Sequence, residues 1–194
     1  MTVGRFSGGK RHVVGGLIAL LLLGACAPRE PDRVTEPRTR AGSYPRGAAL
    51  LKQAMLQGHA AARAAVGMPP LEWDDALALD AARYAATLVA TGRFRHADQP
   101  LGVGREGETL FMGSRGAYSY REMVDLWVAE KKDFVDAETP NFSRTGHGED
   151  VAHYTQIIWR ATTHVGCAMA SNARDDYLVC RYLPPGNIIG ERVG

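Results

Sequence analysis

A carboxylate on an apolar helix face is the first feature that suggests chemistry. Glu130 falls within the apolar stripe that Met123, Trp127 and Phe134 form at helical spacing. At 100° per residue, Glu130 lies about 60° from Trp127 and about 40° from Phe134 around the helix axis. A carboxylate on such a face must be paired, protonated or functional. We therefore expect Glu130 to have a partner or a role in a site.

Two histidines stand in segments that offer further chemistry. His96 follows the second predicted helix, and His153 lies in the segment Ala152–Trp159. Imidazole serves both as a general base and as a metal ligand. The sequence contains neither H-E-x-x-H nor C-x-x-C, so no local motif indicates a metal site. A site assembled from distant residues remains open.

The first of the three cysteines follows a signal-peptide pattern. A basic region, an apolar run and small residues follow one another as Arg5, Lys10, Arg11, Val13–Leu23 and Gly24-Ala25-Cys26. The ending Leu23–Cys26 resembles a bacterial lipobox, in which the cysteine thiol is acylated. We predict a lipoprotein signal peptide over residues 1–25 and lipidation at Cys26. The alternatives are an ordinary signal peptide cut nearby and an uncleaved anchor.

Removing the signal peptide changes the charge balance. Lys plus Arg falls from 23 to 20 while Asp plus Glu stays at 21, so the net charge goes from +2 to −1. Charge therefore gives no support for a nucleic-acid partner, and we predict none. We expect export to the cell envelope, with the membrane as partner through the N-terminal lipid. Ala27 after the cysteine favours the outer membrane if the cell is Gram-negative.

Residues 26–47 have the composition of a linker. Prolines and arginines alternate over Ala27–Gly47, and few residues there could join a core. We predict a disordered tether, with a reach of roughly 25 Å for a flexible chain of this length. The folded domain then covers residues 48–194.

Three helices are predicted before any strand. The first carries its apolar stripe over Leu50–Val66, and the second has Asp74 as N-cap and Gly92 at its end. The glycine-rich stretch Arg93–Gly116 is expected to be a long structured loop. Ser119 then opens the third helix with an S-x-x-E capping box.

The last third of the chain predicts a hairpin that contains the other two cysteines. Apolar residues alternate around Cys167 and again around Cys180, with turn residues at Ser171–Asp176 between them. If Cys167 faces Cys180, the hairpin has a four-residue loop. A disulfide there would stabilise the domain by ~3 kcal/mol. The alternative is two buried free thiols. Helices first and strands last predict an α+β domain.

Two segments resemble the paired signature motifs of the CAP superfamily, the cysteine-rich secretory, antigen 5 and plant pathogenesis-related proteins. They are His153–Trp159, reading HYTQIIW, and Tyr177–Ile188, reading YLVCRYLPPGNI. The resemblance covers about Ala48–Asn187. It implies an α-β-α sandwich with a short antiparallel sheet between helical layers.

The resemblance also implies a cleft lined by two histidines and two glutamates, the tetrad His96, Glu108, Glu130 and His153. His96 and His153 would bind Zn²⁺ or another divalent cation, and the glutamates would orient them. Thr109 stands where the family usually has Asn, which departs from the pattern beside Glu108. The alternative is a polar network that only rigidifies the domain.

Three functions follow from these residues and the resemblance. We expect a non-enzymatic module that binds a lipid, a sterol or a partner protein. The second is a metal-dependent or serine-type hydrolase, with His153 as base and Ser114 as candidate nucleophile. The third is a structural protein of the cell envelope. For His59 and Arg181, an ordinary core or surface position is as good an interpretation as a functional one.

Overall fold

Helices and strands of the domain are seen in a computed structural model, which describes residues 43–100 and 102–194. The helices are α1 (Ala48–Ala64), α2 (Asp75–Thr91), α3 (Tyr120–Ala129) and α4 (Ala152–Ile158). The strands are β1 (Glu72–Trp73), β2 (Gly107–Ser114), β3 (His164–Ser171) and β4 (Asp175–Leu183). Two short 3₁₀ turns, Glu130–Asp133 and Gly148–Val151, separate α3 from α4. The predicted signal peptide, Cys26 and most of the predicted tether lie outside the described residues.

The sheet lies between two helical layers because its central strand is apolar on both faces. The strand order is β1-β3-β4-β2. On β4, Leu178, Cys180 and Tyr182 join the core under α1, α3 and α4. Tyr177 and Val179 point to the other face and pack with α2. This arrangement confirms the α+β class and the sandwich.

Local capping signals predicted three helix boundaries correctly. The Asp74 side chain accepts hydrogen bonds from the first backbone N–H groups of α2, and Gly92 ends that helix in a left-handed conformation, with φ of 64°. The Ser119 hydroxyl and the Glu122 side chain form the reciprocal capping box of α3. The donor and acceptor of each of these hydrogen bonds lie within a few residues of each other in the chain, so the local sequence specifies them.

The hairpin is also confirmed, with one correction to the sheet. β3 and β4 are antiparallel, Cys167 lies opposite Cys180, and the two are joined by a disulfide. The resemblance implies a short antiparallel sheet, and β2, β4 and β3 pair in this way, but β1 runs parallel to β3, with Glu72 opposite His164. The sheet is therefore mixed.

The stretch Arg93–Gly116 is not wholly a loop, because its second half forms β2. Gly107 and Gly113 are not turn residues, since both have extended backbones on a strand. A Cβ at Gly107 would collide with the Gln156 side chain of α4. The glycines thus permit close packing, which the composition of the segment alone did not distinguish from a loop.

The last residues of the predicted tether are packed against the domain. The Arg46 guanidinium donates to the Tyr118 carbonyl at 2.9 Å and to the Asp176 carboxylate at 2.7 Å. The Tyr44 N–H donates to the Gly116 carbonyl. The predicted disorder therefore does not extend over residues 43–47, because a buried carboxylate on β4 fixes them. None of the described helices has the length and apolar character needed to cross a membrane.

Candidate functional site

The first histidine of the expected tetrad is held by the outermost strand of the sheet. Glu108 projects from β2, and its Oε1 accepts hydrogen bonds from His96 Nδ1 at 2.6 Å and from the Ala97 N–H at 3.0 Å. The Glu108 side chain is 5% exposed, whereas that of His96 is 56% exposed. Because a carboxylate only accepts, the neutral ring carries its hydrogen on Nδ1. Nε2 is then the free basic atom.

The second histidine, His153, is held in the same way by a glutamate at the end of α3. Glu130 is the first residue after α3, and its Oε1 accepts from His153 Nδ1 at 2.6 Å. Its Oε2 accepts the backbone N–H groups of His153 and Tyr154 at 3.0 and 3.1 Å. Glu130 therefore fixes both the ring of His153 and the first turn of α4. The prediction that Glu130 has a partner is confirmed.

Trp127 links the second pair to β2. Its ring is stacked on His153, with centroids 5.7 Å apart and planes 14° from parallel. Its indole N–H donates to the Leu110 carbonyl at 3.2 Å, two residues from Glu108 on the same strand. The α4 residue Gln156 also lies against Gly107. The first His–Glu pair is thus held on β2 by Glu108, and the second is linked to β2 through Trp127.

Arg181 belongs to the site, although sequence reasoning gave it no role. It lies opposite Glu108 in the register of β2 and β4, and its Nη2 is 2.8 Å from Glu108 Oε2. Its Nη1 donates to Glu106 at 3.0 Å, and its guanidinium lies over the Tyr84 ring. Burial raises the pKa of Glu106, and the charge of Arg181 opposes that shift.

The contact between Arg181 and Glu108 is an ion pair without hydrogen-bond alignment. Glu108 Oε2 and Arg181 Nε are buried, and within the described chain neither has a hydrogen-bond partner. Arg181 therefore compensates the charge of Glu108 electrostatically while leaving one carboxylate oxygen without a donor. The signal that could have identified Arg181 is a charged residue between two buried strand positions, Cys180 and Tyr182.

His59 is a core residue, in line with its ordinary interpretation. Its Nδ1–H donates to the Met55 carbonyl at 2.7 Å, so Nε2 accepts from the Tyr182 hydroxyl at 2.9 Å. The Thr109 hydroxyl completes the chain at 2.9 Å from the same tyrosine oxygen. Burial lowers the pKa of His59 to about 4. Thr109, where the family usually has Asn, is therefore a buried partner of Tyr182.

Ser114 is not brought to His153. It ends β2, six positions from Glu108, which is about 20 Å along a strand. Its carbonyl accepts from the Ala117 N–H in the turn before α3. His153 lies on α4, which packs at the opposite end of β2, against Gly107. The geometry therefore gives no support to Ser114 as a nucleophile activated by His153.

The tetrad forms two separate pairs within the described residues. No three His, Cys, Asp or Glu side chains of residues 43–100 and 102–194 stand close enough together to hold a metal ion. The carboxylates are already engaged, so the donor atoms left for a cation are the Nε2 atoms of His96 and His153. Neutral imidazoles of this kind are suitable zinc ligands, with carboxylates behind them.

Comparisons with known proteins agree with this architecture. The model of the cysteine-rich secretory protein family (CAP) matches residues 56–182. The chain is 37% identical over 141 residues to a PR-1 type pathogenesis-related protein of Sambucus nigra, covering 72% of this chain and 80% of that protein. It is 38% identical over 142 residues to pathogenesis-related protein 1C of Nicotiana tabacum, covering 72% and 79%.

A solved structure gives the same result for the fold. The crystal structure of NaASP2 with Zn²⁺ is similar with a TM-score of 0.61 and 25% sequence identity, over 74% of this chain and 84% of that one. Sequence and fold thus agree over most of the described domain. The chain belongs to the cysteine-rich secretory protein family, the CAP family.

Proposed function

We propose that this protein is an exported, membrane-tethered module in which His96 and His153 bind a divalent cation such as Zn²⁺. The observation that carries the proposal is that each histidine gives its Nδ1–H to a glutamate at 2.6 Å. Each ring therefore offers Nε2, and the carboxylate behind it increases the basicity of that atom. The related NaASP2 has been crystallised with Zn²⁺, which supports the choice of ion.

The residues of this chain would fix the ligands while leaving other positions of the cation to water or to a bound molecule. Zinc with open positions polarises an oxygen ligand as a Lewis acid. Glu130 holds His153 in place through three hydrogen bonds, and Arg181 compensates the charge of Glu108. Within each pair, the ring is thus held in place before a cation binds.

The resemblance to the family supports a lipid, a sterol or a protein as the ligand of the module. A crevice of about 290 Å³ between α1 and α3 is lined by Gly58, Ala62, Val128 and Tyr154, among others. This volume is at the lower end for small-ligand sites. The lining also includes Arg121, Asp125 and Lys131, so a small ligand here would contact both apolar and charged groups. A hydrolase has no comparable support, because Ser114 lies away from His153.

Calorimetric titration of Zn²⁺ into the metal-free full-length protein tests the cation site. We expect binding that His96→Ala and His153→Ala each weaken at least about 100-fold, since each removes one of two protein ligands. His147→Ala is the matched control, because His147 is exposed and lies 3.7 Å from Glu149. Unchanged affinity in the two site variants, or equal loss in the control, would refute the proposal.

Mass spectrometry of membrane-extracted protein tests the tether. The proposal expects a mature chain that begins at Cys26 with acyl groups on it, and a Cys26→Ser variant that leaves the membrane fraction. The cysteine disulfide of the domain is the internal control, since Cys167 and Cys180 are joined to each other. A free thiol at Cys26 in membrane-extracted protein would contradict the lipoprotein assignment.

A further inference from the structure

One edge of the sheet is only partly covered by a neighbouring strand. β1 pairs with β3 at two positions, Glu72 with His164 and Trp73 with Val165. β3 continues to Ser171, and no other strand of the described chain pairs with Gly166–Ser171 on that side. This edge is opposite to β2, where the two His–Glu pairs lie.

The backbone groups of Cys167 and Met169 point to this open edge. Cys167 and Cys180 are opposed with Cα atoms 4.1 Å apart, the close spacing of a pair that does not exchange backbone hydrogen bonds. Val165 is two residues earlier and therefore has the same orientation. Its carbonyl accepts from the Asp74 N–H at 3.0 Å, outside the β3–β4 ladder. The same side of β3 thus presents N–H and C=O groups at Cys167 and Met169.

A groove of about 860 Å³ runs along this open edge, between the two helical layers. Its walls come from the start of α1, with Leu51, and from α2, with Ala78 and Ala82. Cys167 and Met169 line it as well. Small alanine side chains on α2 leave space beside the strand at the level of the sheet. Five to six residues of extended chain would match the open edge at about 3.3 Å per residue.

The open edge lacks the usual protection against strand pairing. Natural edge strands are blocked by Lys, Pro or bulges. The segment Gly166–Ser171 reads GCAMAS and has neither charge nor proline. It pairs with β4 in an unbroken register, so the edge is regular. An edge of this kind is a template for an added strand.

The charges around the groove favour acidic side chains in its occupant. Lys52 lies over the Trp73 ring and makes no ion pair within the described chain, and the Arg115 guanidinium donates to the Asn172 carbonyl. α1 begins at the groove at Gly47, which has no side chain to cap the first N–H groups. The groove is lined by three cationic side chains, Arg46, Lys52 and Arg115, and by two acidic ones, Asp75 and Asp176. The balance along the groove is therefore positive by one charge.

We propose that the open edge of β3 binds an extended, acidic segment of a partner protein as an added strand. The backbone of that segment pairs with the N–H and C=O groups of Cys167 and Met169, and its alternate side chains enter the spaces beside α1 and α2. An acyl chain fits an apolar groove, but it leaves those backbone groups without partners. Because no strand of the described chain pairs with those backbone groups, a peptide is favoured over a lipid.

The test uses full-length protein and a pool of blocked seven-residue peptides with alternating valine and glutamate or aspartate. We expect the peptides to slow amide hydrogen exchange at Cys167 and Met169 at least about tenfold at saturation. The same peptides with N-methylated backbones are the matched control, since they keep the side chains but lose the donors. Absence of protection at those amides, or equal protection by the methylated pool, would overturn the proposal.

Two variants and two further occupants complete the experiment. Met169→Pro removes an edge N–H without touching the β4 ladder and should abolish protection. Lys52→Glu is an exposed substitution that should weaken acidic-peptide binding about three- to tenfold at low salt, and unchanged affinity would contradict the acidic preference.

Protection by sodium dodecanoate alone would mean that a lipid occupies the groove. Protection that rises with protein concentration without peptide would mean that a second copy covers it.

Discussion

Glu130 and His153 are joined twice, once through the imidazole and once through the backbone. One carboxylate oxygen accepts from Nδ1 at 2.6 Å, and the other accepts from the His153 N–H at 3.0 Å. The same side chain therefore orients the ring and starts the helix that carries it. Any change in the orientation of the ring has to involve the first turn of α4.

Glu130→Gln should separate these two roles. The glutamine oxygen can still accept a backbone N–H, but its amide group donates toward Nδ1, which favours the other tautomer of His153. We expect zinc affinity to fall about 10- to 100-fold, as for other partners behind a metal-binding histidine. Stability should fall by about 1–2 kcal/mol. Calorimetry measures the affinity, and nitrogen NMR of the ring identifies the tautomer.

Glu149→Gln is the matched control for this prediction. Glu149 lies 3.7 Å from His147, and both side chains are exposed. An exposed pair of this type contributes little, so zinc affinity and stability should stay as they are. Full zinc affinity in Glu130→Gln would show that Glu130 serves the start of α4 alone.

Parts of the fold that depend on near neighbours were predicted from the sequence. The cap at Asp74 and the pairing of Cys167 with Cys180 are of this kind. In each case the partners are close along the chain, and the residue types allow few other arrangements. Glu130 was found from its position on an apolar face, although α3 ends one residue before it.

Features that depend on distant packing were missed. The glycine-rich composition of Arg93–Gly116 predicted a loop where β2 lies, but Gly107 serves close packing against Gln156, which is far away in the chain. Arg181 gained its role only when the register placed it opposite Glu108. Glu108 itself entered through the family resemblance. Cross-strand register is set by the assembled sheet and leaves no local signal in either strand.

Arg63 should be among the residues on which stability depends most. It is 1% exposed, and its guanidinium donates to backbone carbonyls of Pro69, Ile157, Trp159 and Thr162. It therefore ties α1 to the end of α4. We expect Arg63→Lys to destabilise the protein by about 2–4 kcal/mol, since one ammonium group cannot reach all these acceptors and leaves buried carbonyls unpaired.

Urea unfolding compares this variant with Arg83→Lys. Arg83 is exposed and pairs with Asp80 on α2, so the control should change stability by less than about 0.5 kcal/mol. Similar midpoints for Arg63→Lys and the unmodified protein would show that the carbonyl contacts are dispensable.

Arg46 should be the residue that holds the end of the predicted tether against the domain. Its guanidinium is held by Asp176, whose side chain is 2% exposed. Arg46→Ala should leave that carboxylate with the Gly116 N–H and the Ser171 hydroxyl as partners and lower stability by about 1–3 kcal/mol. Amide hydrogen exchange at Tyr44 should become faster, because the hydrogen bond from the Tyr44 N–H to the Gly116 carbonyl belongs to the same contact.

Arg121→Ala is the control for this change. Arg121 makes an exposed pair with Asp125 on α3, so its removal should leave exchange at Tyr44 unaltered. Unchanged exchange in Arg46→Ala would place the end of the tether after residue 47, as composition alone suggested.

The buried His59 should make the protein less stable in mild acid. Burial lowers its folded pKa from 6.5 to about 4, so the unfolded chain binds a proton more readily than the folded one between these values. The stability linked to His59 is therefore complete above pH 6.5 and is lost as the pH falls toward 4. Between pH 7 and pH 4.5 the loss amounts to about 2–3 kcal/mol.

Urea unfolding of His59→Leu at both pH values isolates this contribution. The variant is expected to be less stable at pH 7, since Tyr182 loses its acceptor, but its stability should fall less steeply toward pH 4.5 than that of the unmodified protein. His147→Leu, at an exposed position, should keep the original pH dependence. His59→Gln serves the same purpose if the leucine variant does not fold. Equal losses in all these proteins would show that other groups cause the acid sensitivity, because only the variants at position 59 remove the buried imidazole.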